Sequence, residues 1–417
     1  MMATEGPFLA AVIARLPEAT YNLAAYGVAF ALAIVVEAPV MMLMSAATAL
    51  VRDASSYRKL RTFARALIAG TTGVLAVLLI PGVHSWLTRS AMGLPPAVAD
   101  LTYGALWFFL PWPGAIAYRR FLQGVLIRAG KTRLVAYGTV IRLMAMSAAA
   151  LVGYLFLDVP GAWVGAMALA TGVVAEAAAA RLMAASTVRE LLAGARDRPD
   201  APEIRYREIA SFYFPLALTS LIALTVQPML TFFMGRSVAP VQSLAVFPVV
   251  HALSFFFRSL GLAFQDAAIA LMGERFESLR ELGRFGVGLG LATSLGLALV
   301  ALTPLSDIYF VTISGLTPEL TNVALTPARL LVPLPALTVL LAFQRAILVE
   351  GRRTRHITVA SAIEVGTIAT VFALLAWGMG FVGATAAFAA FTCGRMLSNG
   401  YLVFGCRSVL GRVRAPA

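Results

Sequence analysis

Leu23–Val51 reads LAAYGVAFALAIVVEAPVMMLMSAATALV, an apolar run with one carboxylate, Glu37, near its middle. It exceeds the roughly 20 residues that a helix needs to cross the hydrocarbon core of a bilayer. The run returns in the second half of the chain as Leu244–Met272, LAVFPVVHALSFFFRSLGLAFQDAAIALM. Laid over each other without a gap, the two copies match at Leu23/Leu244, Ala24/Ala245, Val28/Val249, Ala31/Ala252 and Leu32/Leu253. They match again at Ala46/Ala267, Ala47/Ala268, Ala49/Ala270 and Leu50/Leu271, and Glu37 falls on Arg258. The chain is therefore an internal duplication of membrane helices, with opposite charges at one equivalent position. That pattern points to a transporter more than to an enzyme or a scaffold.

The composition agrees. Hydrophobic residues make up 60% of the chain and charged residues 13%, against about 25% charged in a soluble domain. Such a chain cannot cover a water-facing surface, so the fold class is all-α and polytopic in the membrane. The two cysteines, Cys393 and Cys406, form neither a metal-ligand spacing nor a disulfide framework. No cofactor or metal is expected. A net charge of +13 would suit a nucleic-acid partner, but its placement argues against that. Most of the 33 Lys and Arg fall in loops of one parity, with Arg15, Arg89, Arg236 and Arg329 in the others and Arg142, Arg258 and Arg395 inside apolar segments. This is the positive-inside pattern, which places the basic loops in the cytoplasm.

Taken in order, Pro7–Ala14 is too short to span. In the overlay that puts Leu23 on Leu244, Pro7, Leu9 and Arg15 fall on Pro228, Leu230 and Arg236, so the first helix is expected to lack its beginning. The expectation is that upstream coding sequence supplies the missing turns, which mass spectrometry of the native N-terminus tests. The further spans are Leu23–Val51, Phe63–Val83, Leu101–Tyr118, Leu134–Leu157 and Ala162–Ala185. A polar loop with His84 and Arg89 separates the second and third of these, and a basic stretch, Arg119–Arg133, follows Pro111-Trp112-Pro113. Residues 1–186 form the first lobe and 187–208, with Gly194, Pro199 and Pro202, a cytoplasmic linker. Residues 209–417 form the second lobe, with spans Ile209–Gly235, Leu244–Met272, Phe285–Leu302, Ala328–Val349, Ile357–Trp377 and Phe381–Phe404. A long outward loop, Asp307–Thr326, precedes its fourth span.

With the overlay shifted by a single position the duplication continues. Pro111 and Pro113 match Pro333 and Pro335, Phe121 matches Phe343, and Thr132-Arg133 matches Thr354-Arg355. Arg142 then lands on Glu364, a second position of opposite charge. Six segments per half is an even number, so both repeats enter from the same side and are parallel. Both termini are expected in the cytoplasm.

Ionisable groups at bilayer depth need partners or a water-filled path. One pair per half is the simplest arrangement: Glu37 with Arg142, and Arg258 with Glu364. Glu37 lies fifteen residues from Arg52, and Arg142 nine from Arg133, depths of about 22 and 13 Å. A long arginine and a bend at Pro39 could close the difference. Two readings stay open. The pairs hold helices in place, or they line a cavity in which Arg258 attracts an anion and Glu37 or Glu364 carries a coupling proton. Asp266, eight residues past Arg258, sits about 80° round the helix and is a second candidate. Gln227, beside Pro228, is a candidate that either contacts ligand or satisfies the backbone that the proline breaks. Glu176, Arg181 and Arg395 lie nearer helix ends, where snorkelling or pairing there is the simpler reading. His251 is read as a packing residue.

Two six-helix halves, AAYG opening the second segment, PWP in the fourth and LQGVLIRAGKTR before the fifth resemble the multidrug and toxin extrusion (MATE) family. More broadly they resemble the multidrug/oligosaccharidyl-lipid/polysaccharide (MOP) flippase superfamily. Leu23–Asp53 followed by SYRKLR looks like the progressive ankylosis-type branch and its bacterial relatives. The resemblance implies two bundles rocking about a central cavity, driven by H+ or Na+. It implies a monomeric antiporter of the cell membrane that exports a small anionic or drug-like solute. The family's acidic residue on the first helix has no counterpart to carry over here. The rival within the same fold is a flippase for a lipid-linked headgroup or oligosaccharide, which a cluster of arginines would favour. A membrane enzyme would need a catalytic cluster, and the three histidines, His84, His251 and His356, are scattered.

Overall fold

The computed structural model describes residues 2–193, 204–273, 276–351, 353 and 355–414. The linker residues Gly194, Pro199 and Pro202, and Thr354 of the repeat, lie outside the described residues. Among the described residues nine helices are long and apolar enough to cross a membrane.

A short α1 (Glu5–Ala14) precedes α2 (Ala19–Glu37), a 3-10 turn (Ala38–Val40) and α3 (Leu43–Leu50). The duplicated apolar run is thus one span with a break at Pro39, where the missing N–H interrupts the helical ladder. Helix α4 (Ala54–Leu78) starts well before the expected Phe63. Asp53 caps it: its carboxylate accepts from the Ser56 amide at 2.8 Å, and the Ser56 hydroxyl accepts from the Asp53 amide at 3.0 Å. Arg58, Lys59 and Arg61 therefore sit on helical turns, not in a loop. His84 and Arg89, expected in a polar loop, lie on α5 (Pro81–Ser85) and a π-helical turn (Trp86–Ala91). Helices α6 (Pro96–Phe109) and α7 (Trp112–Arg128) share one broken segment. Because α7 continues to Arg128, Arg119 and Arg120 are helical rather than part of a basic loop. Helices α8 (Thr132–Phe156) and α9 (Gly161–Ala193) complete the first half.

The second half repeats the plan with α10 (Tyr206–Met234), α11 (Pro240–Leu271), α12 (Leu279–Leu302) and α13 (Leu305–Asp307). A π-helical turn (Ile308–Ile313), α14 (Pro318–Leu330), α15 (Leu334–Glu350), α16 (Arg355–Phe372), another π-helical turn (Ala373–Gly378) and α17 (Gly383–Arg414) follow. Asp307–Thr326, a loop by sequence, is largely helical. The repeat that carries Pro111 onto Pro333 is visible in the backbone. The π-helical turns Trp86–Ala91 and Ile308–Ile313 end in the same hydrogen bond, Met92 N to Leu87 O and Ser314 N to Tyr309 O, both 2.8 Å. Gly93 and Gly315 follow them with φ of 70° and 71°, a left-handed conformation that glycine adopts without a Cβ clash.

The chain divides into two compact units. One holds residues 25–228 and the other 229–417, joined by 3–15 and 19–24. The division therefore differs from the 1–186 and 209–417 lobes read from the sequence, and it falls inside α10. Helix α1 goes with the second unit because it packs on α11: a Cβ on Gly6 would lie 3.1 Å from that of Ala252. Arg15 then donates to the carbonyls of Thr312 and Ile313 at 2.7 and 2.9 Å. The first part of α10 goes with the first unit, where the Tyr213 hydroxyl donates to the Pro39 carbonyl.

Candidate functional site

Each unit buries a cluster of charges. In the first, α8 and α9 approach closely at Gly172, where a Cβ would meet Met146 Cβ at 2.9 Å and the Arg142 carbonyl oxygen at 3.0 Å. Four residues on, Glu176 is fully buried. Its Oε1 accepts from Arg119 Nη1 at 2.8 Å and from Gln123 Nε2 at 3.0 Å, both on α7. Its Oε2 lies 3.7 Å from Arg142 Nη1. Arg119 and Gln123 are four residues apart, which puts them on one face of α7. Arg142 thus pairs with Glu176 and not with Glu37. Glu37 is buried with one carboxylate oxygen lacking a hydrogen-bond partner. Arg120, Arg119 and Arg142 are the cations that act on it.

In the second unit the close approach recurs at Gly394 on α17, where a Cβ would meet Ile368 Cγ1 at 2.7 Å and the Glu364 carbonyl oxygen at 2.9 Å. Arg395 donates to Glu364 Oε1 through Nη2 at 2.8 Å and Nε at 2.9 Å. Arg258 therefore does not pair with Glu364. Its Nε donates to Thr338 Oγ1 at 3.3 Å, its guanidinium lies 4.9 Å from the centre of the Phe391 ring, and its Nη1 is buried without an acceptor. Arg395 touches the same two groups, at 3.3 Å from Thr338 and 5.7 Å from Phe391. Arg345, on α15, donates to the Ser361 hydroxyl at 3.3 Å.

Among the described residues no carboxylate pairs with Arg258, which is 7% exposed. A charged donor held in such surroundings favours an anion strongly, because a buried, unmatched guanidinium is costly. Asp266 is exposed and makes no ion pair with Arg258. Gln227 is half-buried on α10 in the first unit. His251 stacks between Phe247 and Phe255, at 5.8 and 6.2 Å, as a packing residue would.

Sequence reasoning misses several members of these clusters. It places Arg119, Arg120 and Gln123 in a loop, although Pro113 near a helix start and Gly130 just past its end mark a helix between them. It places Glu176 and Arg395 near helix ends, yet both are buried at 7% exposure or less. Helices α9 and α17 run 33 and 32 residues. A residue near the end of the expected apolar segment is therefore well inside the actual helix.

No protein-family model matches the sequence, and no curated protein matches it. Solved structures do match the fold. An inward-facing multidrug resistance MATE family transporter of the MOP superfamily superposes with a TM-score of 0.76 and 16% identity, over 99% of this chain and 94% of that one. The inward-closed lipid II flippase MurJ gives 0.73 and 12%, over 99% and 87%. A MOP superfamily transporter from Pyrococcus furiosus, described as having a binding pocket of reverse polarity, gives 0.67 and 14%, over 100% and 92%. The chain has the fold of the MOP-superfamily transporters. These three likenesses carry that fold and no particular branch of it.

Proposed function

We propose that this chain is a secondary active transporter that exports a small anionic solute by alternating access, coupled to H+ or Na+. The observation that carries the reading is Arg258, a buried cation whose Nη1 has no acceptor. The buried clusters are net positive as well. The first sets Arg119 and Arg142, with the half-buried Arg120, against Glu37 and Glu176, and the second sets Arg258 and Arg395, with the half-buried Arg345, against Glu364 among the described residues. Arg258 receives the anionic group. Glu37 is the better candidate for ion coupling, since Glu364 is held by two hydrogen bonds from Arg395. Arg142 serves structure through Glu176.

The arginine excess also favours a second reading, a flippase for a lipid-linked headgroup that carries phosphate. The two readings separate experimentally. Untargeted profiling of the medium of cells that express the chain should reveal an organic anion that accumulates outside, and Arg258→Gln should abolish the accumulation at unchanged membrane expression. An unchanged medium, with a lipid-linked phosphate newly accessible on the outer leaflet, would replace the solute reading with the flippase. Equal export by wild type and Arg258→Gln would remove Arg258 from the site.

A further inference from the structure

A second basic site lies in the first unit, apart from the buried clusters. Helices α4, α7 and α9 line an open cavity of about 310 Å3 with the exposed Arg61, Arg65 and Arg181, with Tyr118, and with the apolar Ile68 and Phe121. The Arg181 Nη1 donates to the Tyr118 hydroxyl at 2.8 Å. No carboxylate lines the cavity, and Arg61 and Arg65 form no ion pair among the described residues.

The duplication supplies an internal control. Gly114 packs on Ile68 and Thr72. Its equivalent in the second half, Ala336, packs on Gly290 and bonds Ser294, which fixes the register of α4 against α12. In that register Arg61, Arg65, Tyr118 and Arg181 become Gly283, Val287, Leu340 and Val403. The second half therefore carries no charge at these four positions, and the fold does not require one there.

Depth points the same way. Arg65 lies thirteen residues before the end of α4, and Arg181 twenty residues after the start of α9. These are about 20 and 30 Å along their helices, against a hydrocarbon core of about 30 Å. Arginines at and just inside that boundary need an anion or water. Leu182, beside Arg181, is 77% exposed, so the cavity borders an apolar surface. Three guanidiniums and a phenol match the several oxygens of a phosphate, and the apolar wall matches a chain attached to it.

We propose that this cavity binds a phosphate group, supplied by an anionic membrane phospholipid. The proposal does not rest on the transport reading. Arg258→Gln should leave lipid binding intact, and loss of lipid binding does not require loss of export. The test is native mass spectrometry of the full chain in detergent, titrated with phosphatidylglycerol, with phosphatidylcholine, and with inorganic phosphate as competitor. Phosphatidylglycerol should be retained and phosphatidylcholine, whose choline is repelled, should not. Arg65→Val and Arg181→Val copy the residues of the second half. Each should weaken retention about tenfold, the loss of one charge-assisted hydrogen bond. Should either variant fail to elute as a folded protein, Arg61→Gln is the substitute, with a several-fold loss expected. Displacement of the lipid by inorganic phosphate would keep the phosphate site and move its source to the solvent. Equal retention of both lipids, or equal retention by wild type and variants, would overturn the proposal.

Discussion

Helices α8 and α9 in the first half and α16 and α17 in the second are the same structure with its charge reversed. Gly172 and Gly394 are equivalent in the overlay that puts Arg142 on Glu364, and each lets its helix approach the backbone carbonyl of the residue that carries the charge. That residue is Arg142 in one half and Glu364 in the other. The partner is Glu176 in one and Arg395 in the other. Position 395 lies three residues before the equivalent of Glu176, on the same helix face. The backbone crossing is what the duplication keeps; the sign of the pair is free to change. The pairs are also unequal. Among the described residues Glu176 receives Arg119, Gln123 and Arg142, whereas Glu364 receives Arg395 alone.

That inequality predicts the largest effect. Glu176→Gln leaves Arg119, 3% exposed, without its carboxylate, and removing one partner of a buried pair costs about 3–5 kcal/mol. Glu364→Gln should cost less, because Arg395 keeps Thr338 and the Phe391 ring. Thermal melting followed by size exclusion in detergent measures both. Equal losses would mean that the two pairs contribute alike despite their different company.

A charge inversion sharpens the comparison further. Glu364→Arg combined with Arg395→Glu gives the second half the polarity of the first. Each single change places like charges together. The double variant should melt well above the sum of the singles, with a coupling of about 1–3 kcal/mol. No recovery would show that the sign is fixed locally, by Arg258 and Arg345, both of which act electrostatically on the same group as Arg395.

The architecture is largely legible in sequence. The repeat alone sets the two halves, the matching prolines Pro111 and Pro333, and the positions of the opposite charges. Pairing is what it leaves out. Depth measured along a helix leaves Glu37 and Arg142 about 9 Å apart, a gap that a long side chain and a bend can close, but which face each side chain takes depends on neighbours. Glu176 takes Arg142 because Gly172 brings α9 against α8 one turn away. Reading Arg119–Arg133 as a loop weighs charge density above helix boundaries. Arg119 is a basic residue inside an apolar segment, compensated by a carboxylate on another helix, and composition alone does not show compensation.

The smallest expected effect tests the crossing itself. Gly172→Ala would put a Cβ 2.9 Å from Met146 Cβ and 3.0 Å from the Arg142 carbonyl oxygen; Gly394→Ala would put one 2.7 Å from Ile368 and 2.9 Å from the Glu364 carbonyl oxygen. Overpacking of this kind costs about 1–3 kcal/mol. Met146 presents its Cβ, which moves only with the α8 backbone, whereas Ile368 presents Cγ1, which can turn about χ1, so Gly172→Ala should be at least as harmful as Gly394→Ala. The backbone oxygens belong to the charged residues, so the strain also shifts the ion pair. Combined with Glu176→Gln, Gly172→Ala should therefore cost less than it does alone, since the pair it displaces is already broken. Strict additivity of the two losses would separate the crossing from the pair and leave the shared glycine as packing only.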